Sequence, residues 1–293
     1  MTEKLIGLER LTDLIETVIW SGALVNAIPL SILIIGESGT GKSKTVLSFN
    51  CKSLHVTNDM TSSGLFEAMQ RDRENKIRHI LFPDMNAILA HKASTSELFF
   101  GNLLALMSEG ITRIDDGRNV KEIPHLPVGL IAAATPGMYD ANSRKWEKTG
   151  LKRRFLPIFF DYSTQTRQDV NAAIRNGDVT LKQLSKKSVD LPERLIGNVS
   201  IGEVESFQIE NLSRILADHL GWRASRTRNP ETKSWFVHPA PGKTPIEFTP
   251  HLVLRTLASA HAARARRASI GEDDIRFVTQ AIDFCKYGSP VQL

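Results

Sequence analysis

Gly36, Gly41, Lys42 and Ser43 stand in the pattern Gly36-x-x-x-x-Gly41-Lys42-Ser43, directly after the apolar run Ile32-Leu-Ile-Ile35. Residues of these types at this spacing handle phosphate. Glycines let successive backbone N–H groups turn inward around an anion, where a bulkier side chain would block it. The lysine is placed to reach the β- and γ-phosphates of a nucleoside triphosphate. The serine hydroxyl is placed to ligate Mg²⁺ as a helix begins, its N-terminal dipole favouring negative charge. A glycine-rich strand–helix turn without a ligand is the competing reading, and the complete motif behind a buried-type strand outweighs it. Gly36, Glu37, Ser38, Gly39, Thr40, Gly41, Lys42, Ser43 and Lys44 are therefore the expected nucleoside-triphosphate-binding loop, with Ser43 on the metal.

Residues 8–25 read as a helix, and a second helix follows the loop from Lys42 to about Phe49. Apolar strands at Ile77–Phe82 and Val128–Ala134 end on Pro83-Asp84 and Thr135-Pro136. Strands alternating with helices imply a parallel sheet with its ligand chemistry at the carboxyl ends, where both Asp84 and Thr135 fall. Between those strands, Ser94-Thr-Ser-Glu97 reads as a capping box that opens a helix through Leu98, Phe99, Leu103, Leu106 and Met107 to Gly110. Residues 111–123 then form two short strand-like runs around Asp116-Gly117, a hairpin signal. A hairpin is thus inserted ahead of a core strand.

The last part reads as helical. Thr249-Pro250 marks a helix start running to about Arg267, and Ser269 with Glu272 is a second capping box before Ile275, Val278, Ile282 and Phe284. A further helix falls near Val204–Leu220, and the polar stretch after Trp222 reads as a loop or small hairpin. The expected fold class is α/β. A P-loop parallel sheet flanked by helices would occupy residues 1–165. A smaller, mainly helical lid would occupy 166–293, with an irregular insert at 222–247.

The chain has 293 residues, 24% of them charged and 41% hydrophobic, the balance of an ordinary globular protein with a full core. A net charge of +5 permits contact with nucleic acid without demanding it. Cys51 and Cys285 lie far apart, with no Cys or His at metal-ligand spacing, and read as reduced thiols. The apolar run Ala27–Ile35 is too short to span a bilayer and no signal core follows Met1, so no membrane association and a cytoplasmic location are expected.

Together these motifs resemble the AAA+ ATPase module, in the group that carries a hairpin before the third motif strand, which includes MoxR-type ATPases and the MCM helicase motor. The resemblance runs over most of the chain and is weakest over 165–248. It implies ATP and Mg²⁺ as ligands, with Asp84 holding the metal through water and Thr135 as the polar sensor of the γ-phosphate. Ile6 and Gly7 match the family's adenine-side segment. In Gly150-Leu-Lys-Arg-Arg-Phe155 the arginine before Phe matches the finger that reaches a neighbouring subunit's nucleotide; Arg154 is the first choice and Arg153 the reserve.

Two positions depart from the family pattern. Met85 stands where the family has the glutamate that polarises the attacking water, followed by Asn86, and a thioether cannot act as a general base. Slow or absent hydrolysis is the expectation unless another group such as Glu109 serves, and a carboxylate restored at position 85 would raise the rate if the backbone holds that position toward the γ-phosphate. The lid helix has His251 where the family carries arginine, and Arg255 lies one turn further on.

These readings lead to a homo-oligomer, a ring or arc on the scale of a hexamer, that remodels a protein client or nucleoprotein complex. The alternatives are an ATP-switched DNA-binding motor or loader with Arg113, Arg118 and Lys121 of the hairpin on nucleic acid, and a nucleotide-dependent structural subunit with little turnover. Arg264, Arg266 and Arg267, and the arginines near Trp222 and Trp235, are weaker candidates for nucleic-acid contact.

Overall fold

In the computed structural model the structure describes all residues except 1–6, 26, 73, 75, 116–119, 177–185, 193–195, 198, 229–234 and 242–247. Of 111–115, 120–124, 222–228, 235–241 and 248 it describes the backbone alone. The chain opens with α1 (Glu9–Ser21), β1 (Ile32–Ile35), α2 (Lys42–Leu47), β2 (Phe49–Asn50), β3 (Leu54–Val56) and α3 (Ser62–Arg71). It continues through β4 (His79–Phe82), α4 (Asn86–Leu89), α5 (Ala93–Ser108), the hairpin strands β5 (Ile111–Asp115) and β6 (Val120–His125), β7 (Gly129–Ala134) and α6 (Pro136–Thr149). After β8 (Leu156–Asp161) come α7 (Thr164–Arg175), β9 (Lys187–Ser188), α8 (Glu203–Gly221), the hairpin β10 (Trp222–Arg228) and β11 (Trp235–Pro241), α9 (Phe248–Arg264), α10 (Glu272–Asp283) and β12 (Val291–Gln292).

The main sheet has six strands in the order β12-β8-β1-β7-β4-β3, all paired in parallel, so the expected α/β class holds. Strand alternation splits its core cleanly. Ile32 and Ile34 point into one cluster with α1 and α8–α10, while Leu33 and Ile35 point into a second with α3, α5 and α6. In both cases the apolar run is buried on both faces, as a parallel strand covered by helices requires.

β8 was not legible in the sequence because Pro157 lies within it. The Leu156 N–H donates to Ser31 O, immediately ahead of β1, whereas the Phe159 N–H points the other way, to Phe284 O. Alternation therefore turns the Pro157 nitrogen away from β1, and β12 pairs only with Phe160 and Asp161, so no ladder bond is lost. The chain's last residues thus return to the main sheet, a strand absent from the sequence-based expectation.

The capping signals need correction. α5 begins at Ala93 behind Lys92, whose extended backbone starts the helix before Ser94, so no Ser94–Glu97 capping box forms. α9 begins at Phe248, one residue before Thr249. α10 is capped at Gly271 rather than Ser269, the Asp274 carboxylate accepting from the Gly271 N–H at 2.8 Å. Both expected hairpins are present as antiparallel pairs, including the one within 222–247.

Candidate functional site

β1 lies between β7 and β8, the point where the chain's path across the sheet reverses, and its carboxyl end opens into the phosphate-loop sequence. A Cβ at Gly36 would lie 3.0 Å from Phe160 O and 3.2 Å from Thr40 Oγ1, so the loop's first turn has no room for a side chain. Gly41 has φ +77°, which an L side chain rarely adopts, and it turns the chain into α2. Thr40 Oγ1 and Lys42 Nζ both donate to Glu37 O at 2.7 Å, folding the loop over its own tip. Burial pushes the Lys42 ammonium below its ordinary value, while the charges of Glu37 and Asp84 draw it back up. Ser38, Gly39 and Lys44 are exposed around the loop.

Two other strand ends arrive at the same edge. Ser43 Oγ donates to Pro83 O at 2.7 Å, which sets the loop serine against the residue immediately before Asp84. Both Asp84 oxygens are engaged by the residue two positions on: the Asn86 N–H donates to Oδ1 at 2.9 Å and Asn86 Nδ2 to Oδ2 at 3.3 Å. Asp84 is exposed, so its carboxylate remains open to solvent beside Ser43. Thr135 follows Ala134, which pairs with Ile35, and its hydroxyl accepts from the Met138 N–H as the cap of α6. The O–H of that threonine is still available as a donor.

Position 85 is different. The Met85 N–H donates to Ala133 O, and the side chain is 1% exposed in the cluster with Ile80, Phe82, Ile88 and Phe99. It turns into the core, not toward the loop, so the expectation that a carboxylate restored here would act on phosphate is corrected. Glu109 is corrected as well. It caps α5 beside Ser108, whose hydroxyl is bonded by Arg154 Nε at 2.7 Å, and it lines a cleft with Leu30 and Ser31 at the amino end of β1. The four residues of β1 lie between Ser31 and Gly36, five steps or about 16 Å, so Glu109 stands at the wrong edge to act as a base in its own loop.

No protein-family model matches the chain, and no curated protein does. Among solved structures, a crystal structure of a protein from Cytophaga hutchinsonii, described provisionally as an ATPase, aligns with a TM-score of 0.48 and 16% identity, over 94% of this chain and 81% of that one. This likeness is too distant to bear on chemistry, and the geometry carries the functional argument.

Arg153 and Arg154 occupy the same amino edge. Gly150, at φ +80°, ends α6, and burial of Leu151 and Phe155 pins the turn so that both arginines project outward. They rim a cleft of about 760 Å³ floored by Leu30, Met107, Leu156, Leu216 and Val253. Neither reaches the phosphate loop of its own chain.

His251 and Arg255 are corrected too. Their neighbours Thr249, Pro250, Val253 and Thr256 face this cleft, whereas the far end of α9, about 20 Å away, is tied by Arg264 to Glu16 of α1. Arg264 and Arg267 are structural, pairing with Asp13, Glu16 and Asp274. Gly7 itself packs against Thr166 and Leu293, and it is the next residue, Leu8, whose Cδ1 comes 3.3 Å from where a Cβ on Gly41 would stand. Ile6 and Arg118 lie outside the described residues, as do the side chains of Arg113 and Lys121.

Tyr162 is a residue the sequence reading missed. Its hydroxyl lies 3.2 Å from the Cβ position of Gly41. The available signal was its place directly after a strand that runs to the phosphate edge, and that strand was hidden by Pro157.

Proposed function

We propose that this chain binds ATP with Mg²⁺ at the phosphate loop and works as a nucleotide-dependent AAA+ subunit of a homo-oligomer. In it Arg154, with Arg153 beside it, serves the site of a neighbouring copy, and residues 166–293 act as the lid. The observation that carries this reading is the Ser43 Oγ to Pro83 O hydrogen bond of 2.7 Å, which brings the loop serine and Asp84 to one point on the sheet edge. Hydroxyl and carboxylate oxygens are the donors Mg²⁺ takes, and both residues are exposed there, so the donor set fits the metal. The metal supplies charge neutralisation on the phosphates. Lys42 adds its positive charge, the glycines admit the anion, and Thr135 offers an O–H donor from the neighbouring strand.

Turnover is expected to be slow. Glu37 and Asp84 are the carboxylates whose charge acts on Lys42, and Asp84 is assigned to the metal. This favours a second reading, a subunit that uses bound nucleotide to assemble with little hydrolysis. Mass measurement with and without ATP and Mg²⁺, alongside phosphate release in the presence and absence of DNA, separates the readings. Assembly with negligible release selects the structural subunit, DNA-stimulated release selects a nucleic-acid motor, and release insensitive to DNA selects a remodeller of protein.

Lys42→Ala is expected to weaken binding of a labelled ATP analogue about a hundredfold, the loss of one strong charge-assisted contact and the neutralisation it provides. Undiminished equilibrium binding would show that the loop is not the site. Mixing tests the neighbour. Arg154→Ala subunits keep an intact loop and Lys42→Ala subunits an intact arginine, so co-assembly is expected to restore part of the phosphate release that each lacks alone. Mixed assemblies without rescue would exclude action between subunits.

A further inference from the structure

We infer that the Tyr162 hydroxyl contacts the nucleoside end of the ligand, so that the site selects nucleoside triphosphates over inorganic polyphosphate. This rests on the phosphate-loop reading above and adds a direction to it. The loop has two sides. Ser43 reaches across to Pro83 on the β4 side, where Asp84 and Thr135 mark the place for the metal and the terminal phosphate. Gly41 faces the β8 side, where the nearest atoms to its Cβ position are Tyr162 Oη at 3.2 Å and Leu8 Cδ1 at 3.3 Å. A triphosphate held by its terminal phosphate on the first side has to direct its sugar and base past the second.

Tyr162 is built to stay where it is. Its N–H donates to Asp161 Oδ1 at 2.8 Å and its carbonyl accepts from Arg167 Nε at 3.1 Å, while Arg167 Nη2 binds Asp161 Oδ2 at 2.6 Å. Leu293 closes the turn from the other side, its N–H donating to Asp161 O at 2.9 Å and its carbonyl accepting from the Ser163 N–H at 2.7 Å. The phenol hydroxyl, in contrast, has no hydrogen-bond partner among the described residues. Burial raises the phenol above its ordinary value, so it remains an O–H donor at neutral pH. A rigidly held residue with an unpartnered donor beside the loop's second side is suited to a fixed contact with a sugar oxygen.

The experiment compares two probes, Mg-ATP and Mg-tripolyphosphate, by calorimetric titration of the parent, Tyr162→Phe, Tyr162→Ala and Lys42→Ala. The parent is expected to bind ATP more tightly than tripolyphosphate. Tyr162→Phe, which keeps the ring's packing on the core, is expected to lose about three- to tenfold in ATP affinity, the worth of one hydrogen bond, with tripolyphosphate unchanged. Tyr162→Ala is expected to lose at least as much. Parent-like ATP binding in Tyr162→Phe overturns the assignment, as does an equal loss of tripolyphosphate, or a parent that does not distinguish the two probes. Lys42→Ala retaining both ligands would instead overturn the phosphate-loop reading itself.

Discussion

Met85→Glu is expected to destabilise the protein by about 4 kcal/mol or more and to release phosphate no faster than the parent. The residue type alone argues the reverse, since a carboxylate directly after Asp84, the proposed metal ligand, would supply the missing base. The fold places the side chain in the core, where the chain turns from β4 into α4. Met85 is 1% exposed, its N–H is fixed to Ala133 O, and its neighbours are Ile80, Phe82, Ile88 and Phe99. A glutamate there either remains ionised without a partner or takes up a proton, and both lose the packing of the thioether. Urea unfolding gives the stability, and single-turnover hydrolysis with saturating Mg-ATP gives the rate. A stable variant with faster turnover would show that position 85 reaches the phosphates and would overturn the geometry described here.

Asp274→Ala is expected to cost about 3 kcal/mol, roughly 5 °C in melting temperature. Asp274 is 0% exposed and accepts from four groups: both terminal nitrogens of Arg267 at 2.7 Å, His261 Nδ1 at 2.6 Å, and the Gly271 N–H at 2.8 Å. Removing it leaves two cationic or polar side chains facing a cavity and strips the cap from α10. Arg267 keeps 35% and His261 20% of their side-chain exposure, so water recovers part of the loss and holds the cost below that of a wholly buried triad. Asp274→Asn retains the shape and one acceptor and should fall between the two. Thermal unfolding measures all three proteins, and a melting temperature within 2 °C of the parent in Asp274→Ala would mean that the cluster contributes nothing net.

These two residues show where sequence reading reaches its limit. The phosphate loop was legible because its chemistry depends on backbone conformation over eight consecutive residues, and glycine spacing encodes that conformation locally. Asp84 and Thr135 were legible for a related reason, since an apolar run buried on both faces ends at the carboxyl edge of a parallel sheet wherever that sheet forms. The side on which a residue falls is a different matter. Met85 is one position past Asp84, but the chain has already left β4 and turned into α4 there, and that helical turn sets the thioether in the aromatic cluster. Glu109 was offered as an alternative base and His251 and Arg255 were matched to the lid position of the family pattern, but Glu109 lines the cleft at the other end of β1, and so do Thr249, Pro250, Val253 and Thr256, the α9 neighbours of His251 and Arg255. Tyr162 was invisible because its role depends on β8 lying beside β1, a pairing between residues more than a hundred apart in the chain. Local spacing by itself determined the backbone path of residues 36–43, a strand end turning through glycines into a helix. Only the tertiary structure decided which carboxylates, arginines and hydroxyls stand around it, because strand order and helix packing, not distance along the chain, set which side chains meet.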